Sequence, residues 1–102
     1  MQMLLPRWFA HRGGGSLAPE NTLAGIRLAA QMGYRAVEFD VMLSGDGTPV
    51  LIHDETLERT TSGRGRVCDT PDAVLFSLDA GGGEQIPRYA EAVGLCRQLG
   101  LL

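Results

Sequence analysis

The chain has 102 residues, 44% of them hydrophobic and 21% charged, with a formal net charge of −3. These are the values of an ordinary globular chain, and they allow one domain at most. No two Lys or Arg residues are adjacent, which argues against nucleic acid as a partner and against a polybasic membrane anchor.

The N-terminal stretch MQMLLPRWFAH starts apolar, but Pro6 and Arg7 interrupt it after two leucines. That is too short for the apolar core of an export signal and far too short for membrane insertion. Cys68 and Cys96 have neither C-x-x-C spacing nor companions, so no disulfide framework is expected and a reducing, cytoplasmic setting is the default.

Arg7 to Ala10 read as a short strand leading into the loop His11-Arg12-Gly13-Gly14-Gly15. Pro19-Glu20-Asn21-Thr22 then opens a helix, with Asn21 or Thr22 as its cap. Leu23, Ile26 and Ala30 follow at helical spacing, and Gly33 stops the helix. From Arg35 to Leu43 the pattern predicts one strand, with Val37, Phe39, Val41 and Leu43 on one face and Glu38, Asp40 and Met42 on the other. Gly45-Asp46-Gly47 is a hairpin turn, and Pro49 to Ile52 form a second short strand running into His53-Asp54. Residues 55–85 are mostly irregular, with a short helix around Pro71 to Phe76. A last helix is expected from about Pro87 to Gln98, with Ile86, Ala90, Val93 and Leu99 as its apolar stripe and Gly100 as its cap. Strands alternating with helices indicate an α/β chain with parallel strands.

Three groups of residues carry chemistry. Glu38 and Asp40, two apart on a strand, have Cα atoms roughly 6.5–7 Å apart and point the same way. They can converge on one hard cation, which prefers oxygen ligands. The alternative is a solvated strand face, but a central parallel strand is buried on both sides and unpaired carboxylates there are costly. His11-Arg12 follows the first strand, where the carboxyl ends of parallel strands collect functional groups. Arg offers a planar fork for phosphate, and His moves protons near neutral pH. His53-Asp54 also follows a strand, and two histidines on one rim suit the general acid and base that phosphodiester cleavage requires.

The ordered combination of His11-Arg12-Gly13, Pro19-Glu20-Asn21-Thr22, Glu38-Phe39-Asp40-Val41, Asp46-Gly47-Thr48-Pro49-Val50, His53-Asp54 and Leu57-Glu58-Arg59-Thr60-Thr61 closely resembles the glycerophosphodiester phosphodiesterase family. Asp79-Ala80-Gly81 and Ile86-Pro87 fit the same run, so the resemblance extends over essentially the whole chain. It implies the N-terminal portion of a TIM (β/α)8 barrel of the phospholipase-C-like phosphodiesterase type, residues 1–102 forming a partial domain. By the same resemblance His11 and His53 are the general acid and base, Arg12 binds the substrate phosphate, and Glu38 and Asp40 ligate a divalent cation, Ca2+ or Mg2+. The implied reaction releases sn-glycerol 3-phosphate and an alcohol from a glycerophosphodiester. Arg59, Thr60 and Thr61 are expected to fix their loop, and Glu20 to lie near the metal.

Two departures from the family pattern stand out. Only Ala80 to Gln85 separate Asp79 from Ile86, where family members usually carry a longer insertion. The family's third strand, with another metal-binding Glu and a nearby Lys, lies beyond this sequence. A barrel takes about 250 residues, so self-association into a homo-oligomer or joining of a completing chain is expected. Two rivals follow: a non-catalytic remnant that self-associates and at most binds metal or phosphate, and a related phosphodiesterase acting on lysophospholipids or sphingomyelin.

Overall fold

The computed structural model describes residues 9–11 and 17–101. Strand β1 (Phe9–His11) lies parallel to β2 (Ala36–Glu38), with Phe9 opposite Ala36, Ala10 opposite Val37 and His11 opposite Glu38. Helix α1 (Leu23–Gln31) connects them, as a parallel pair requires a crossover. His11 is therefore the last strand residue and not the first of a loop, while Arg7 and Trp8 lie outside the described residues.

Thr22, not Asn21, is the cap of α1: its backbone is extended and its hydroxyl oxygen accepts from the Gly25 N–H at 3.2 Å. The far end closes on Gly33, whose φ of 87° suits a residue without Cβ. There the Gly33 N–H donates to the Ala30 carbonyl and the Tyr34 N–H to that of Ala29, which occupies two otherwise unpaired helix-end carbonyls.

The single strand expected from Arg35 to Leu43 is in fact two. β2 ends at Glu38 and β3 (Val41–Leu43) begins beyond Asp40. The cause is local. The Asp40 N–H donates to the side-chain oxygen of Asn21 at 3.1 Å, and the Asp40 carbonyl accepts from the Ile52 N–H at 3.1 Å. With the ladder broken there, the alternation restarts. Val37 is buried and Phe39 half-buried against α1, but Val41 and Leu43 are 44% and 57% exposed. The expected common apolar face therefore holds only as far as Phe39.

β3 pairs antiparallel with β4 (Pro49–Leu51), Val41 opposite Leu51 and Leu43 opposite Pro49. Successive β4 side chains point to opposite faces, and both faces are buried. Leu51 enters a cluster with Ile26, Ala29, Val37, Ala92, Cys96 and Leu101. Val50 and Ile52 enter a second one with Leu57, Val67, Leu75, Ala80 and Ile86. Over that second cluster, residues 55–86 contain a 3-10 turn (Val67–Asp69), helix α2 (Asp72–Leu75) and an isolated antiparallel bridge between Thr56 and Arg66. The Asp72 carboxylate accepts from the hydroxyls of Ser44 and Thr48, both at 2.5 Å, and ties α2 to the hairpin.

Helix α3 (Tyr89–Leu99) ends on left-handed Gly100, as expected. Its buried stripe is Ala92 and Cys96 with half-buried Val93 and Leu95; Ala90 and Leu99 face solvent. The rotation is set upstream, where the Pro87 carbonyl accepts from the Leu51 N–H at 3.0 Å and holds Pro87 outside the helix. Among the described residues no helix is long and apolar enough to cross a membrane.

The two faces of the hairpin should respond differently to truncation. Leu51→Ala, at a side chain 2% exposed, is expected to lower the unfolding free energy by about 2–5 kcal/mol. Leu43→Ala, on the solvent face, should change it by less than about 0.5 kcal/mol. Urea unfolding of both variants checks the pair.

Candidate active site

The carboxyl end of β2 is where the chemistry-bearing residues gather. Backbone pairing sets His11 beside Glu38. Two residues on, Asp40 is bonded through its carbonyl to Ile52, so His53 follows directly from the residue that grips Asp40. Arg12 lies outside the described residues, as do Gly13 to Ser16. The remaining expected site residues, Glu38, Asp40 and His53, lie along one continuous stretch of backbone contacts.

Glu38 is exposed and Asp40 half-buried, so the expectation of two carboxylates sealed inside a central strand is corrected. β2 ends at Glu38 and its last residue faces outward. Among the described residues no three His, Cys, Asp or Glu side chains converge on one point. Glu38 and Asp40 nonetheless offer the oxygen donors that suit Ca2+ or Mg2+. Mg2+ in particular is commonly held by one or two carboxylates with water and substrate phosphate completing its shell.

Asn21 is the residue that sequence reasoning assigned elsewhere. It is 3% exposed and left-handed, with φ of 55°. Its side-chain oxygen accepts from the Asp40 N–H, and its amide nitrogen donates to Asp40 Oδ2 at 3.2 Å. One amide therefore fixes both the backbone and the carboxylate of Asp40. The signal available in sequence was the Asn itself, a residue tolerated at positive φ, just before the helix cap.

A second network surrounds His53. Its Nδ1 lies 2.8 Å from Asp54 Oδ1. Arg59 donates from Nε to Asp54 Oδ2 at 2.7 Å and from one terminal nitrogen to Oδ1 at 2.9 Å. The same guanidinium donates to both Glu20 oxygens at 2.9 and 3.0 Å. One arginine thus joins residues from the two sides of the site, Asp54 five positions before it and Glu20 39 positions before it. Thr60 and Thr61 line a small recess together with Glu20, Asn21 and His53. Thr61 also secures its own loop, donating to the Leu57 carbonyl at 2.7 Å.

The hydrogen bonds from Arg59, then the contact with His53, hold the Asp54 carboxyl well below the usual carboxylate range. The bonds to Asp54 and Glu20 correspondingly push the Arg59 guanidinium further up. A depressed carboxyl contributes stability above its unfolded pKa, near 4, and loses it only as pH falls through the lower folded value. Asp54 is therefore expected to stay ionised at about pH 4, where an ordinary Asp is half-protonated. A titration of its side-chain carbon resonance that bends near pH 4 would contradict this.

Asn21 variants separate bonding from backbone strain. Asn21→Gly, which tolerates positive φ, should cost about 1–3 kcal/mol from the lost bonds to Asp40. Asn21→Ala should cost about 1–2 kcal/mol more for the left-handed backbone. Equal unfolding midpoints for the two would remove the strain argument.

The chain matches known proteins along nearly its whole length. Glycerophosphodiester phosphodiesterase 1 of Bos taurus is 45% identical over 109 residues, covering 94% of this chain and 33% of its own. A glycerophosphodiester phosphodiesterase of Caldanaerobacter subterraneus is 43% identical, covering 84% of this chain and 38% of its own. A solved phosphodiesterase of Oleispira antarctica, in complex with the product sn-glycerol-3-phosphate, is 50% identical with a TM-score of 0.92, over 95% of this chain and 42% of its own. The chain accordingly spans about a third of the length of the curated relatives it matches. What it shares with the solved structures is the N-terminal portion of their TIM barrel, the fold expected from the sequence. With residues 11–100 matching the model of the glycerophosphoryl diester phosphodiesterase family, the chain belongs to that family.

Proposed function

We propose that this chain carries the opening part of the active site of a glycerophosphodiester phosphodiesterase, which hydrolyses a glycerophosphodiester to sn-glycerol 3-phosphate and an alcohol. The supporting observation is one convergence. His11 pairs with Glu38, and Asp40 is bonded to the residue preceding His53. Two histidines and two carboxylates from separate elements thereby meet around the carboxyl end of β2. The product bound to the Oleispira relative supports the substrate class.

In this reading the P–O bond to the alcohol breaks as a new P–O bond forms, either from water or from the substrate's own 2-hydroxyl, in which case water then opens the resulting cyclic phosphate to give glycerol 3-phosphate. One of His11 and His53 accepts the proton of the nucleophile, and the other supplies the proton of the departing alcohol. Arg12 holds the substrate phosphate through its planar fork. Glu38 and Asp40 would hold Ca2+ or Mg2+, which when bound supplies Lewis-acid stabilisation of phosphoryl charge. Asn21 keeps Asp40 oriented without cancelling its charge. The activity is proposed for the complete barrel, since this chain spans about a third of the length of its curated relatives.

Glycerol 3-phosphate release from glycerophosphocholine, with Ca2+ or Mg2+ and with chelator, is the test. Turnover abolished by chelator and lowered about 100-fold or more by His53→Ala, as for removal of a general acid or base, is the expected result. A second reading is a self-associating remnant that binds metal or phosphate without turnover; folded, metal-loaded protein with no turnover would select it.

A further inference from the structure

The proposed reaction gives His53 a proton to move, but it leaves unexplained why an arginine spans two carboxylates from opposite sides of the site. Arg59 makes four hydrogen bonds, two to Asp54 and two to Glu20. All three groups are partly exposed; the Arg59 side chain is 48% accessible. Simple ion pairing at such exposure contributes little stability, so a doubly bidentate arrangement there calls for a geometric reason.

That reason lies at the far end of the chain of contacts. An ionised carboxylate only accepts hydrogen bonds, so the Nδ1 that meets Asp54 Oδ1 at 2.8 Å must carry a proton. In the neutral ring the lone pair is then on Nε2, the nitrogen left for proton exchange. Asp54 keeps its face to His53 only while its rotation is blocked. Arg59 blocks it, because Nε and a terminal nitrogen grip both oxygens at once. The guanidinium is itself anchored by Glu20, which sits just ahead of the cap of α1.

We propose that Arg59, anchored by Glu20, is a positioning residue that holds Asp54 against His53 and so fixes the imidazole as its Nδ1–H tautomer. The inference rests on the reading of His53 as a proton-transfer group. It also explains why Glu20 is engaged by the guanidinium at the edge of the proposed metal site: Glu20 is the fixed post of the clamp. The two sides of the site are thereby coupled, since Glu20 adjoins Asn21, the residue that orients Asp40.

The test uses the full chain with 15N-labelled histidine. Long-range 1H–15N correlations, recorded above the imidazole titration, report which ring nitrogen of His53 is protonated. In the unaltered protein Nδ1 should be the protonated nitrogen. In Arg59→Ala and Arg59→Lys the population should shift towards Nε2–H, since neither side chain can grip both carboxylates in a fork. If Arg59→Ala does not fold, Glu20→Gln tests the same clamp from its far end and should shift the population in the same direction. An unaltered protein with His53 as Nε2–H, or folded variants that keep the Nδ1–H population unchanged, would overturn the proposal. Where turnover is measurable, Arg59→Lys should lower kcat about tenfold or more with KM little changed. A rise in KM alone would instead make Arg59 a substrate-binding group and overturn the positioning role. The tautomer readout needs no turnover, so full activity in His53→Ala would sink the proton-transfer reading while leaving the clamp itself open to measurement.

Discussion

The grip of Asn21 on Asp40 is the constraint from which the rest of the site follows. A side-chain amide takes the backbone N–H that a continuing strand would have given to its ladder, and the same amide holds the carboxylate. β2 has to stop there. Its stopping frees the following residues to turn into a hairpin, and the hairpin returns through Ile52 to the Asp40 carbonyl. His53 arrives next to β2 because of that return. A left-handed backbone costs most side chains roughly 1–2 kcal/mol, and Asn is among the few that adopt it readily. Its two bonds, to a backbone amide and a carboxylate, are of a size that more than offsets what strain remains.

The hairpin in turn divides the interior. β4 is three residues long, yet with Ile52 it supplies side chains to both apolar clusters. One cluster joins α1 to α3 across the strand; the other is roofed by an almost irregular segment. That segment is held by side chains bonding backbone and hydroxyls, with Asp72 taking Ser44 and Thr48 and Asp79 taking the Gly81 and Gly83 N–H groups. Such bonds satisfy polar groups where no ladder exists. Arg88 lies over the Phe76 ring at 3.9 Å and links this roof to the start of α3.

Much of this order was legible because it is written in local chemistry. Thr22 and Gly33 bracket α1, Gly47 turns the hairpin, and Gly100 ends α3, each through a short-range preference that needs no tertiary partner. Two things were not legible. Alternation from Val37 to Leu43 looked continuous, because periodicity carries no mark of a backbone N–H captured by a residue 19 positions earlier. The stripe of α3 was misjudged for a similar reason: its rotation depends on Pro87 accepting from Leu51. In both cases a long-range hydrogen bond overrode a local pattern. Arg59 shows the same limit at the site. As an isolated residue in a Thr-rich loop it promised only loop fixation, and its partner Glu20 is 39 positions away.

The site also uses two different means to position its acids. Asn21 is neutral: it orients Asp40 and adds no charge of its own. Arg59 is cationic: it orients Asp54 and Glu20 and offsets charge at the same moment, as the depressed Asp54 carboxyl reports. The distinction matches what each acid has to do under the proposed function. A carboxylate that meets a cation must keep its charge, and the Asn21 amide gives Asp40 direction without adding charge. A carboxylate that holds a histidine must stay ionised across the working pH range and must not attract a cation of its own. A guanidinium supplies both, because it stabilises the ionised form and occupies the oxygens. An amide in the place of Arg59 would leave the Asp54 oxygens open to a cation and would do less to keep the carboxyl ionised.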